Sequence, residues 1–250
     1  MTLTGTGTLE ARGVHVRFAG VHAVADVDLV LAAGEVVGLI GPNGAGKTTL
    51  VNVLSGFQRP TGGGVHLDGA DVTRWPPHRR GRAGIGRTFQ SVRVFAGLSV
   101  LENLESAAYA AGRSRRDAAR DAAGLLDLVG LAGVARERAG ALAYGQERRL
   151  GIARALAAAP RFLLLDEPAA GLNEQESDEL LELLRGLRTE REVALLVIEH
   201  DMRLIMRLCD RLHVLDHGRT IAAGAPADVA RDPNVLDAYL GHRGSDRAAG

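Results

Sequence analysis

The feature that most constrains this chain is a junction. Val36-Val-Gly-Leu-Ile40 is a short apolar run, and it leads straight into Gly41-Pro42-Asn43-Gly44-Ala45-Gly46-Lys47-Thr48-Thr49. An apolar run, a Gly-rich turn and a helical pattern from about Lys47 to Ser55 with Gly56 just past its end predict strand, loop, helix. Gly41, Gly44 and Gly46 let the backbone wrap closely, with its N–H groups pointing at phosphate oxygens. The helix N-terminus adds partial positive charge. The frame matches G-x-x-x-x-G-K-[ST], a phosphate-binding loop. Lys47 is the only lysine among the 30 Lys and Arg residues. A compact ammonium fits between the β- and γ-phosphates of a nucleotide, where a planar guanidinium fork is wider and fixed in shape. The residues therefore predict a nucleoside triphosphate site, with the Thr48 hydroxyl offered to Mg²⁺. A plain Gly-rich turn is the bland reading in a chain with 32 glycines; the Lys and Thr at the required spacing speak against it.

Around this junction the chain reads as α/β. Residues 9–18 and 21–31 alternate and are β-branched, which predicts antiparallel strands joined at Ala19-Gly20. Gly62-Gly-Gly64 reads as a turn, Val65 to Leu67 as a strand, Asp68-Gly69 as a second turn, and Ile85 to Phe89 as another strand. Residues 74–82 read as a basic connector broken by prolines. From about Val100 to Ala158 the composition turns to Ala, Leu, Glu and Arg, and helices are predicted near 99–111, 114–129 and 145–158. Phe162-Leu-Leu-Leu165 and Val193-Ala-Leu-Leu-Val-Ile198 are continuous apolar runs, as in parallel strands buried on both faces. The helix between them, about 174–189, places Leu180, Leu183, Leu184 and Leu187 on one stripe. This alternation predicts a doubly wound, mostly parallel sheet. One domain is expected over 1–250: a core of about 9–90 and 160–240, a helical subdomain of about 91–159, and frayed ends at 1–8 and 243–250.

Ligands of such sheets sit beyond the carboxyl ends of the strands. The Gly-rich loop, Asp166-Glu167 and Glu199-His200 all fall at such ends, so they should converge. Asp166 is placed as a carboxylate for Mg²⁺. Glu167, the next residue, points elsewhere and is placed to orient or deprotonate an attacking water. Taken alone, Asp-Glu-Pro168 reads equally well as a solvated strand end.

Composition narrows the partners. The formal net charge is 0 and the pI about 7.1, without the basic excess usual in nucleic-acid-binding chains, so no nucleic acid is expected. The single cysteine, Cys209, excludes an intrachain disulfide and reads as an inert buried thiol in an apolar helical pattern. The N-terminus lacks the pattern of a signal peptide, and no run of about 18 apolar residues occurs. Arg74, Arg79, Arg80, Arg82, Arg87 and Arg93 form the one local basic excess. A solvated loop is the default reading, and contact with a membrane protein or lipid headgroups the alternative.

Leu142-Ala143-Tyr144-Gly145-Gln146, followed by Glu-Arg-Arg-Leu-Gly-Ile-Ala-Arg-Ala-Leu, resembles the signature motif of ABC (ATP-binding cassette) ATPases, usually Leu-Ser-Gly-Gly-Gln. Phosphate loop, Gln90, signature, Asp166-Glu167 and His200 come in that family's order over nearly the whole chain. Arg87-Thr-Phe-Gln90 with Arg93-Val-Phe95, Pro168-Ala-Ala-Gly-Leu-Asn173 and Glu199-His200-Asp-Met202 look like the ATP-binding subunits of branched-chain amino acid importers.

The resemblance implies a P-loop (RecA-like) core with an N-terminal antiparallel β subdomain and an inserted helical subdomain. It implies that two cassettes pair head to tail with ATP between them, the second a paralogous subunit or another copy of this chain. Ala143, Tyr144, Gly145 and Gln146 then face the partner's ATP, and Phe18 stacks on adenine. Gln90 touches the Mg²⁺ and water region, and His200 holds the γ-phosphate and the base. The other implied partners are transmembrane permease subunits and, indirectly, a solute-binding protein, with the chain peripheral on the cytoplasmic face of the inner membrane. Two positions depart from the general pattern: Ala143 replaces the signature serine, and Asn173 stands where many members have Asp. The competing readings are a soluble ABC ATPase of DNA repair or translation, a small-molecule kinase, which needs no signature motif, and a non-catalytic interaction domain, which should lack Glu167 or His200.

Overall fold

The computed structural model describes residues 7–89 and 94–246. Strands β1 (Thr8–Phe18) and β2 (Val21–Ala32) pair antiparallel across Ala19-Gly20. Both turn residues take positive φ, 44° and 92°, as a two-residue hairpin matched to strand twist requires. With β4 (Gly62–Leu67) and the two-residue β5 (Ala70–Asp71) they form an antiparallel sheet in the order β2-β1-β4-β5.

The second sheet carries the predicted parallel core. Its order is β10 (Arg219–Gly224), β9 (Arg211–Asp216), β3 (Val36–Ile40), β8 (Ala194–Ile198), β7 (Phe162–Asp166) and β6 (Ile85–Arg87). All pairs are parallel except β9 with β10. Every residue of β3, β7 and β8 is buried, and alternation divides them between two cores. Val37, Leu39, Phe162, Leu164, Leu196 and Ile198 pack with helix α1 (Lys47–Ser55) and the antiparallel sheet. Val36, Ile40, Leu163, Leu165, Leu195 and Val197 pack on the opposite face against helices. A parallel strand covered on both faces needs apolar residues at every position, which is why these runs are unbroken.

The opposite face holds α3 (Val100–Ala110), α4 (Arg115–Leu128), α5 (Tyr144–Ala157), α6 (Glu174–Arg191) and α7 (Met202–Leu208). Ser99 caps α3 in a reciprocal box with Glu102: Glu102 N–H donates to Ser99 Oγ and Ser99 N–H to Glu102 Oε2. Gly38, in the middle of β3, is there for closeness. A Cβ would come within 2.7 Å of Leu212 Cδ2 and 3.0 Å of Cys209 Sγ.

Several expectations need correction. Gly62-Gly-Gly64 is strand, paired with His15 and Arg12; Gly63 absorbs the irregularity at φ 72°, where a Cβ would strike Gly13 O at 2.0 Å. The connector at 74–82 contains helix α2 (Pro77–Arg82), started by proline at its first turn. The strand expected over 85–89 ends at Arg87. On α6, Leu181 is buried and Leu183 only partly so, which shifts the buried stripe by one side. Cys209 lies just past α7 rather than within it, and is buried; burial pushes its thiol up to about 12. Helix α8 (Pro226–Val229) leads to α9 (Pro233–Asp246), so regular structure runs from Thr8 to Asp246 and reaches into both ends expected to fray.

The basic segment is solvated only in part: Arg74, Arg79 and Arg82 are exposed, as expected of a solvated segment, but two of its arginines turn inward. Arg80 is 1% exposed and donates to five carbonyls: Val53 and Leu54 at the end of α1, Val72, Thr73 and Trp75. Arg79 stacks on Trp75. Arg87 is buried as well. Arg93 and Gln90 lie outside the described residues.

Candidate nucleotide site

Register brings the predicted pieces to one edge. Leu39 of β3 is level with Ile198 of β8, and Ile198 is level with Asp166 of β7. The Gly-rich loop, Asp166-Glu167 and Glu199-His200 therefore leave three adjacent strands at the same height.

The loop's glycines are sterically required. A Cβ on Gly41 (φ 143°) would meet Leu215 O at 2.0 Å, and one on Gly46 (φ 100°) would meet Ala23 O at 2.3 Å. The loop is also tied to the turn after β9, because Gly218 N–H donates to Ala45 O at 3.0 Å. Burial raises the phenol pKa of Tyr239 of α9, and the Gly41 backbone of the same loop works in the other direction. Pro42 and Ala45 are buried, whereas Asn43, Gly44 and Thr48 are exposed and Thr49 is half-buried.

Helix α1 begins with no side-chain cap and no acid in its first turn. Its first N–H groups are thus left for an external anion. The Lys47 ammonium lies over the loop, donating to Gly41 O at 2.7 Å and Pro42 O at 2.8 Å. Burial lowers its pKa, opposed by the charges of Glu167 and Asp166.

Asp166 is 4% exposed. Burial raises its carboxyl pKa; the Arg87 guanidinium, 3.2 Å from Oδ2, works in the other direction. Arg87 also donates to Asn52 Oδ1 and Ser55 Oγ of α1. One buried cation thereby fixes the Asp166 carboxylate relative to the phosphate-loop helix.

Glu167 takes φ 49°, a left-handed conformation that a non-glycine residue adopts only under constraint. Its N–H donates to Ile198 O at 3.0 Å. Its carbonyl accepts from Ala170 N–H at 3.2 Å and from Arg148 Nη1 at 2.8 Å. Glu199 is 2% exposed. Its carboxylate accepts from Ala169 N–H at 2.6 Å and from His200 N–H at 3.0 Å, joining the segment after Glu167 to the start of His200. The His200 side chain itself is 73% exposed.

On α5, the Gln146 amide oxygen accepts from Ala143 N–H at 3.1 Å, and Ala143 has no hydroxyl to complete the box. Gly145 is buried, and a Cβ there would meet Glu176 Oε1 at 2.7 Å. Asn173 caps α6: Glu176 N–H donates to Asn173 Oδ1 and Asn173 N–H to Glu176 Oε2, both at 2.9 Å. An uncharged amide serves there as well as a carboxylate. Thr48, Asp166, Arg87 and Phe89 share one open cleft of about 520 Å³ with Tyr144 and Arg148 of the same chain. Phe18 ends β1 beside Val21 and is 47% exposed, free to take a flat ligand on its face.

Arg87 and Arg148 were not singled out for the site by sequence, and Glu199 was placed at the converging strand ends without a role of its own. Glu199 carried a signal: it follows a fully apolar strand as Asp166 does. Arg148 carried another, four residues after Tyr144 on one helix face.

A family model described as ABC transporter matches residues 24–170. A second, described as Branched-chain amino acid ATP-binding cassette transporter, matches residues 219–245. The chain is 45% identical to the high-affinity branched-chain amino acid transport ATP-binding protein BraF of Pseudomonas aeruginosa over 248 residues, covering 93% of this chain and 97% of that protein. It is 42% identical to LivG of Escherichia coli strain K12, described in the same words, with the same coverage. Among solved structures it is similar to the ADP conformation of MJ1267, an ATP-binding cassette of an ABC transporter. The TM-score is 0.85 at 29% identity, over 94% of this chain and 99% of that one. It is similar also to the dimeric post-hydrolysis state of the cassette MJ0796 bound to ADP and Pi. There the TM-score is 0.78 at 26% identity, over 87% and 98%. A Gly-rich loop capping a parallel strand, two acidic strand ends level with it and a helical insertion beside them thus agree with sequence kinship over nearly the full length: the chain belongs to the ABC transporter family, as an ATP-hydrolysing cassette.

Proposed function

We propose that this cassette drives a branched-chain amino acid importer, and that ATP is held and cleaved at the edge formed by β3, β7 and β8. The observation that carries the reading is the uncapped, acid-free start of α1, on a loop that leaves β3 level with the Asp166 end of β7. The domain is a single unit, with a core of about 9–90 and 160–240 and a helical subdomain of about 91–159.

In this reading the loop Gly41–Thr49 cradles the triphosphate, and Lys47 exchanges its bonds to the loop carbonyls for phosphate oxygens. Glu167 takes the proton of the attacking water, His200 steadies the γ-phosphate, and Phe18 stacks on adenine. Mg²⁺, when bound, neutralises charge on the β- and γ-phosphate oxygens. The residues fit that ion: such sites use few protein oxygens together with substrate phosphates. Thr48 and Asp166 border one cleft. Among the described residues no cluster of three or more His, Cys, Asp or Glu forms a separate metal cage. Gln90 joins them in the family pattern.

A second cassette, paralogous or identical, supplies Ala143, Tyr144, Gly145 and Gln146 to each ATP; the dimeric solved relative supports pairing. Among the described residues no helix is long and apolar enough to cross a membrane. In this reading permease subunits hold the cassette at the cytoplasmic face of the inner membrane, with a solute-binding protein upstream. Branched-chain solutes rest on the likeness to BraF and LivG.

The test is Glu167→Gln in the assembled transporter. ATP binding should persist, phosphate release should fall about a hundredfold or more, and a nucleotide-dependent dimer should accumulate on sizing. Full turnover in that variant overturns the assignment. Vesicle uptake of labelled leucine against arginine and glutamate tests the solute, and no preference for leucine overturns that part.

A further inference from the structure

Helix α5 carries a buried arginine whose bonds lead from the partner-facing end of the helix to the backbone of Glu167. Arg148 is 7% exposed. Its Nε and Nη2 donate to the Tyr144 hydroxyl at 3.1 and 2.6 Å, and its Nη1 donates to Glu167 O at 2.8 Å. None of these acceptors is a carboxylate, so the guanidinium serves as a rigid bracket between a phenol and a peptide group. The Tyr144 hydroxyl in turn donates to Ala170 O at 3.3 Å. The ring lies so close to the next residue that a Cβ on Gly171, at φ 79°, would be 2.9 Å from Tyr144 Cε1. Tyr144, Arg148 and the segment Glu167 to Gly171 are therefore tied to one another by hydrogen bonds and close packing.

We propose that Arg148 is a positioning residue for hydrolysis: with Tyr144 it fixes the peptide plane of Glu167, and so couples the direction of the Glu167 carboxyl to the state of the α5 N-terminus. The inference rests on the reading above, in which Glu167 is the base and Tyr144 faces the partner's ATP. Three facts support it. Glu167 sits in a left-handed conformation that needs external constraint. Its N–H is already held by β8 through Ile198 O, so the carbonyl side decides the remaining rotation. Both donors to that carbonyl come from residues also bonded to Tyr144, Arg148 through its guanidinium and Ala170 through its own carbonyl. Engagement of Tyr144 across the dimer then stiffens this bracket, and disengagement loosens it.

The experiment uses the assembled transporter and steady-state ATP hydrolysis. Tyr144→Phe deletes one oxygen and keeps the ring, and Arg148→Lys keeps the charge but cannot span both acceptors. Each should lower kcat about ten- to a hundredfold, up to the scale of a reacting group misplaced by about 1 Å, with KM for ATP within twofold and the melting temperature unchanged. Because the two residues act through one bracket, the double variant should be no slower than the worse single by more than about twofold. ATP affinity measured in the Glu167→Gln background should not respond to Arg148→Lys. Wild-type kcat in Tyr144→Phe, a rise in KM in place of a fall in kcat, or additive losses in the double variant would overturn the proposal. Glu167→Gln alone separates the two levels. If it hydrolyses normally, the base assignment and this inference both fall. If it is slow while Tyr144→Phe and Arg148→Lys are not, only this inference falls.

Discussion

Helix α1 treats its two ends in opposite ways. At the N-terminus Gly46 offers no side-chain cap, the first turn holds no acid, and the loop before it turns its backbone inward. At the C-terminus Gly56 closes the helix in a left-handed cap, its N–H donating to Val53 O. Arg80 then places one guanidinium nitrogen 2.6 and 2.7 Å from the carbonyls of Val53 and Leu54. Free donors at one end are a binding surface for an anion, and saturated acceptors at the other are an anchor in the core. The difference teaches that the same class of backbone group is left open where a ligand comes and closed where none does. The two cations differ accordingly. Lys47 sits over carbonyls it can release, while Arg80 is locked among five.

Lys47→Ala gives the largest expected effect. Hydrolysis should fall about a thousandfold, equivalent to about 4 kcal/mol of lost transition-state stabilisation, with the melting temperature almost unmoved. Titration with a fluorescent ATP analogue checks binding, and unchanged affinity would break the contrast at its open end. Next is Arg80→Ala, which strands buried carbonyls and should cost about 3 kcal/mol of stability, or a drop of about 10 °C in a domain this size. Nucleotide affinity of the protein that remains folded should be normal. A variant that melts like the parent would show that the anchor does not matter.

A buried histidine sharpens the point through pH. Burial brings Arg80 down only to about 10, so it stays charged at neutral pH among its carbonyls. His213 of β9 is driven by burial to about 4 and shares a hydrogen bond with the Thr220 hydroxyl at 2.8 Å. The folded state thus binds fewer protons than the unfolded state between about pH 6.5 and pH 4. His213 contributes stability that is complete above pH 6.5 and lost as the pH falls toward 4, up to about 2–3 kcal/mol. Denaturant titrations at pH 7 and pH 5 should show the loss, and His213→Asn should flatten it. The smallest effect is expected at Gly44. Its φ of 79° strains any replacement, yet a Cβ there meets nothing within 4 Å. Gly44→Ala should cost about 1 kcal/mol. Gly46→Ala, driven against Ala23 O, should cost clearly more, as thermal melts of the two will show.

The parts of this molecule that were legible in advance share one property: local order and long-range order demand the same residues. β3, β7 and β8 need apolar residues on both faces, so their runs and their acidic ends stand out. Helix α1 was readable to the residue, because a glycine bounds it on each side. The helix over 77–82 was hidden by its prolines, and Gly62 to Gly64 by glycines that serve a close strand crossing rather than a turn. Most of all, the charged residues were misread. Arg80 and Arg87 belong to a run that looks solvated, Arg148 looks like an ordinary polar position on a helix, and Glu199 was placed at the right strand end without its burial or its partners.

From the sequence alone came the phosphate loop, the parallel core with its helical insertion, and the two acidic strand ends, since spacing and hydrophobic period depend on neighbours along the chain. Only the tertiary structure decided which charges are buried and what they hold: Arg80 under α1, Arg87 on Asp166, Arg148 on Glu167, Glu199 between Ala169 and His200. A long side chain that satisfies a distant carbonyl leaves no periodic mark, because its partner is fixed by how the strands and helices pack and not by its distance in residues.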